Sequence, residues 1–182
     1  MNSKDNRRVR MTKRLMKEAL LELLEQHELS HITVTAICET ADVHRSTFYN
    51  YYHEPADLLR EIEQDFLDHI PLPPTAFDPL SQKRFLFTNK GFFDYVKKNV
   101  KALRILLNKT ENNGFASRFV DLLCDQYLVG IEDKDELNSR FKRLYIANGT
   151  VGMLREWIEQ DFPMSSENFA DLIFHYSRKT GV

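Results

Sequence analysis

Between Pro55 and Ile70 the apolar residues Leu58, Leu59, Ile62, Phe66 and Ile70 recur at the 3.6-residue spacing of a helix. No stretch of the chain alternates persistently with the period of two that a half-buried strand requires, so an all-α fold is expected. The same spacing recurs between Arg8 and His27, where Met16, Ala19, Leu20, Leu23 and Leu24 form a stripe opposite a charged face. Thr33 suits the cap of a second helix over VTAICETA. HRSTFYNYY then resumes the helical pattern after Asp42, a residue type that tolerates a left-handed turn. Pro55 fits the first turn of the next helix. That helix must stop at PLPPTAFDP, where four prolines in nine residues make the clearest boundary in the chain. Beyond it, helices are expected near 80–98, 100–107, 115–130, 135–161 and 166–178.

A chain of 182 residues can bury about 70% of its unfolded surface without staples. Its two cysteines, Cys38 and Cys124, are too far apart for a C-x-x-C motif and too few for a disulfide framework, so Cys38 reads as a small buried apolar residue. The six histidines share no ligand spacing with either cysteine, and no metal site is expected. No nucleophile elbow, zinc-protease motif, Walker loop or dinucleotide fingerprint occurs. The GTVG at Gly149 lies inside a helical pattern, where a phosphate cradle would need a preceding strand. Neither a catalytic residue nor a cofactor is expected. Residues 1–14 are charged rather than apolar and no apolar run approaches about 18 residues, so the expectation is a cytoplasmic protein without a membrane partner.

The net charge of −2 argues against a surface that binds polyanions everywhere. Its distribution is uneven: residues 1–17 carry seven basic groups against Asp5 alone, a local +6 that leaves −8 for the remainder. Two readings are open, a solvated tail or a cationic arm that reaches phosphate.

Ala41 to Tyr52, ADVHRSTFYNYY, places four aromatic rings beside small polar residues and an arginine. Two short helices joined by a tight turn need apolar anchors and a small residue where they cross. Ile37, Ala41, Val43, Phe48 and Tyr51 supply the anchors, and Cys38 the small residue. At about 100° per residue, Phe48, Tyr51 and Tyr52 fall on one side, while Ser46, Thr47, Tyr49 and Asn50 sweep across the other. Arg45 stands at the edge. An arginine can engage a guanine edge bidentately and an asparagine an adenine, which is what a major-groove reader needs.

The segment ITVTAICETADVHRSTFYNYYHEPADLL, Ile32 to Leu59, resembles the DNA-binding segment of the TetR family of bacterial transcription regulators. The family pattern is T-V-x-x-I-x-x-x-A-G-V-S-x-x-T-[LF]-Y-x-[HY]-[FY]. The resemblance implies that Thr33, Thr47, Tyr49 and Tyr51 contact phosphates and that Thr35, Arg45, Ser46 and Asn50 face bases. Three departures stand out. Asp42 takes the place of glycine, His44 replaces a capping serine and brings an imidazole towards phosphate, and Pro55 replaces a lysine that grips the backbone. The resemblance further implies a helix-turn-helix domain over 1–53 and a helical effector-binding and dimerisation domain over 54–182.

A two-fold homodimer would present two such heads to a palindromic operator in double-stranded DNA. The segment GTVGMLREW resembles a family subgroup that includes regulators of dihydroxyacetone kinase, and it points to Gly149, Gly152, Leu154 and Trp157 as dimer contacts. Helix-interior glycines cost about 1 kcal/mol each, so a close approach is expected there, either within one subunit or between two. FLFTNKGFFDYV and GFASRFV concentrate aromatics where the family carries an effector pocket, which implies Phe92, Phe93, Phe115 and Phe119 as its lining. By composition alone the same cluster reads as plain core. The reading is a repressor controlled by a small-molecule effector. The alternative is a helical protein-interaction or lipid-binding module that keeps the head fold without specific DNA binding.

Overall fold

A computed structural model describes residues 3–71, 91–108, 114–127 and 135–179, and among these every regular element is helical. The chain divides into two compact units, Met1–Asp68 and His69–Val182.

In the first unit, helix α1 (Ser3–Gln26) buries Met16, Ala19, Leu20 and Leu24. A short 3-10 turn at Leu29–His31 leads to α2 (Val34–Thr40), whose first turn is capped by the Thr33 hydroxyl accepting from the Ala36 N–H at 3.1 Å. Helix α3 (Arg45–Tyr49) follows after four residues, and α4 (Pro55–Asp68), which packs on α1, buries Leu58, Leu59, Ile62 and Phe66. Pro55 opens α4 where its missing N–H is not needed. Asp57, two residues on, accepts from the His53 and Glu54 N–H groups at 2.8 and 3.2 Å. Those backbone hydrogen bonds, His53's foremost, hold the Asp57 carboxyl below its usual pKa.

The second unit contains a helical run over 91–98 (α5), then α6 (Val100–Asn108), α7 (Phe115–Leu122), α8 (Glu136–Glu159) and α9 (Ser166–Lys179). Helix α7 runs on into a wider π-turn at Leu123–Tyr127. The expected parts at 80–90 and 128–130, Phe85 and Phe87, and Pro73, Pro74 and Pro79 lie outside the described residues. The core of this unit is aromatic. Trp157 stacks on Phe169 with ring centres 4.3 Å apart, Phe93 meets both edge-on, and Phe92 and Phe115 each stack against Phe119. The Trp157 indole N–H donates to the Met164 carbonyl at 3.1 Å, so this large ring is buried with its polar atom satisfied.

Helices α2 and α8 end by the same device. Asp42 (φ 52°) and Asp161 (φ 53°) each adopt the left-handed conformation just past the helix. The next residue then donates back five positions, Val43 to Cys38 O at 3.0 Å and Phe162 to Trp157 O at 2.8 Å. This is a Schellman closure, and the apolar contact that accompanies it is the Phe162 ring against Trp157 at 4.9 Å.

Candidate nucleic-acid interface

The turn between α2 and α3 sets the site. With Asp42 left-handed, α3 turns back onto α2, and Ile37, Cys38, Ala41 and Phe48 are all buried. Burial pushes the Cys38 thiol pKa up, and Glu39 adds to this against the pull of Arg45, so the thiol stays protonated and acts as packing. Helix α3 starts without a side-chain cap: His44 is extended (φ −72°, ψ 145°) and its side chain takes no part. Its carbonyl instead accepts from the Thr47 and Phe48 N–H groups at 2.9 and 3.2 Å.

The outward face carries what the wheel assigns to it. His44, Arg45, Ser46, Tyr49 and Asn50 are exposed, as is Thr33 at the start of α2, while Thr35, Thr47 and Tyr51 are half-buried. A concavity of about 340 Å³ between the two helices brings Thr35, His44 and Arg45 together with Glu39 and Asp42. Tyr49 is 55% exposed although its ring meets the buried Phe48 edge-on at 5.8 Å. A large ring that packs against the core on one edge and is still open to solvent suits a contact surface.

Behind this face lies a charged clasp that periodicity did not reveal. Lys13 and Lys17 of α1 both reach Glu61 of α4, at 2.9 and 2.7 Å, and Lys17 also reaches Asp65 at 2.5 Å. Two of the seven basic groups of the N-terminal run are therefore committed inside the unit. Arg14 pairs along its own helix with Glu18. Burial alone would raise the Glu61 pKa, but hydrogen bonds from Lys17 and Lys13 outweigh it and bring the carboxyl below its usual value. Burial likewise opposes the charge on Lys17, and Asp65 and Glu61 overcome it, so its pKa is raised. Beneath the clasp, Tyr52 is 3% exposed, and burial, with Glu61 adding, pushes its phenol up. The signal for the clasp was present as Lys13/Lys17 and Glu61/Asp65, each pair spaced by four, but which pair faces which is a matter of helix rotation.

In the second unit the expected dimer residues separate. Gly149 and Gly152 lie exposed on α8, whereas Leu154 and Trp157 are buried at 0% and 2% exposure on its opposite face. Among the described residues, a Cβ added at either glycine would meet nothing within 4 Å, so no close approach among them calls for glycine there. Sharing the glycine face are Leu137, Phe141 and Tyr145, which are 57%, 61% and 67% exposed. Phe92, Phe93, Phe115 and Phe119 are all buried and packed ring on ring. Among the described residues no cluster of His, Cys, Asp or Glu could hold a metal ion, and no helix is long and apolar enough to cross a membrane.

Among the described residues, two short helices joined by a tight turn, the second of them exposed and carried on a compact helical unit, make a helix-turn-helix arrangement. Residues 90–179 match the TetR_C_8 family, described as the transcriptional regulator C-terminal region. An HTH-type transcriptional regulator of Bacillus subtilis (strain 168), YxbF, is 23% identical over 87% of this chain and 43% of its own length. DhaS of Lactococcus lactis subsp. lactis (strain IL1403), an HTH-type dhaKLM operon transcriptional activator, is 34% identical over 33% of each chain. The chain thus spans less than half the length of either relative. In fold it is similar to a TetR transcriptional regulator from Streptococcus agalactiae 2603V, with a TM-score of 0.70, 22% identity, and 95% of this chain and 97% of that one covered. Residues 90–179 thus match the C-terminal region of transcriptional regulators, the chain has the all-helical fold of a TetR-type regulator, and both relatives are described as HTH-type transcriptional regulators.

Proposed function

We propose that the chain binds a palindromic DNA operator as a homodimer, represses the adjoining gene by occupying that operator, and responds to a small-molecule effector. The observation that carries this reading is the exposed face of α3, where Arg45, Ser46, Tyr49 and Asn50 stand open to solvent on a helix anchored by the buried Phe48. In this reading Arg45, Ser46 and Asn50 with Thr35 read base edges. Thr33, His44, Thr47, Tyr49 and Tyr51 hold the backbone. The dimer is supported by the Leu137, Phe141, Tyr145 stripe and the two glycines that nothing among the described residues crowds. Leu154 and Trp157 support that face from within, and the effector site is assigned beside the Phe92, Phe93, Phe115, Phe119 core.

An activator reading is favoured by one observation, the name of the lactococcal relative. Both readings require specific DNA binding. The test is to select duplexes from a random pool with the full chain and titrate a selected and a scrambled duplex at several salt concentrations. The expected result is a preference of about a thousandfold or more for the selected duplex. Equal, weak and steeply salt-dependent binding to both would instead support an interaction or lipid-binding module. A reporter driven by the selected duplex separates repression from activation.

A further inference from the structure

The aromatic residues around α3 form a continuous row. Tyr49, exposed, meets Phe48 edge-on at 5.8 Å, Phe48 meets Tyr52 at 5.5 Å, and Tyr52 meets Tyr51 at 6.3 Å. The row ends under a single cation: the Lys13 ammonium lies 5.4 Å from the Tyr51 ring centre and 5.3 Å from that of Tyr52. Lys13 is itself fixed, because its ammonium donates to Glu61 at 2.9 Å while Lys17 holds the other oxygen of the same carboxylate at 2.7 Å. A lysine tethered on one side and seated over two rings on the other cannot turn outward without giving up both contacts.

We propose that Lys13 is a positioning residue for DNA binding, setting Tyr51 and Tyr49 through the ring row without touching DNA itself. The inference rests on the proposed reading that α3 contacts a duplex. It assigns Lys13 a role distinct from that of a basic arm. A lysine that contacts phosphate contributes to the salt dependence of binding, whereas a lysine that orients tyrosines contributes to affinity alone. Lys17 is the internal control, because it joins the same clasp and is not placed over either ring.

The test compares Lys13→Met, Lys13→Arg and Lys17→Met in the full chain, using a duplex selected from a random pool by the wild type. Lys13→Met is expected to weaken binding about fivefold with the slope of log affinity on log salt unchanged, and Lys13→Arg to restore it. Lys17→Met is expected to lower the melting temperature while keeping the affinity of the folded protein. A slope that falls by about one in Lys13→Met would make Lys13 a direct phosphate contact and overturn the proposal. Equal affinity losses in Lys13→Met and Lys17→Met would reduce the effect to general stability and overturn it as well.

A readout without DNA keeps the two readings separate. The tyrosine ring resonances of Tyr49 and Tyr51 in the free chain should move in Lys13→Met and return in Lys13→Arg. Resonances that stay in place overturn the ring row whether or not any duplex binds. A chain that selects no duplex overturns the proposed function and, with it, the role of Lys13 in binding.

Discussion

At Asp42 one backbone angle decides how α2 meets α3. A non-glycine residue in the left-handed region is strained, and aspartate is among the few types that accept it. Glycine at this position carries no such strain, and its extra freedom in the unfolded chain offsets part of the gain. Asp42→Gly is therefore expected to stabilise the head by up to about 1 kcal/mol, read as a higher urea midpoint at unchanged slope. Asp42→Val should destabilise it, because a β-branched side chain tolerates this angle poorly. If both substitutions shift the midpoint alike, the turn is not what holds the crossing. This residue was legible beforehand because left-handed tolerance is a local property. So was the cap by Thr33, and the cap that His44 fails to make.

Among the elements, α1 and α4 are joined by an apolar seam and, at its edge, by the Lys13, Lys17, Glu61 and Asp65 clasp. Glu61 has a lower pKa in the folded head than its ordinary 4.5. A depressed carboxyl contributes stability above the unfolded value and loses it as pH falls through the folded value. The stability gap between wild type and Glu61→Gln should therefore be full at pH 7 and close progressively on acidification below 4.5, as read by urea unfolding across that range. A gap that does not change with pH would mean that Glu61 acts through packing alone. The helical spans themselves were open to prediction, since 3.6-residue spacing follows from neighbours along the chain. The clasp was not, because spacing by four marks a face without stating which face of another helix it meets. Helix α8 shows the same limit: apolar residues lie on both of its sides, and pattern alone could not assign Gly149 and Gly152 outward and Leu154 and Trp157 inward.

For the whole molecule, the two outward glycines make a prediction with opposed signs. Alanine is a better helix former than glycine by about 1 kcal/mol, and neither site is crowded among the described residues. Gly149→Ala with Gly152→Ala should raise the stability of dilute protomers and at the same time weaken self-association, measured by thermal unfolding and sedimentation over a concentration series. If α8 carries the proposed dimer interface, Tyr145→Glu should dissociate it outright by placing a charge in the apolar stripe. A dimer indifferent to all three changes would remove α8 from the interface.

The account turns on the outward face of α3 reading base sequence, and the most direct measurement is the set of duplexes that the wild type and Arg45→Ala each select from a random pool. The predicted result for the wild type is two inverted half-sites about one helical turn apart. In Arg45→Ala the same motif should persist with one base position per half-site relaxed and affinity lower by about 1–3 kcal/mol. Selection of the same bases at every position by both proteins, or of no motif by either, would contradict it.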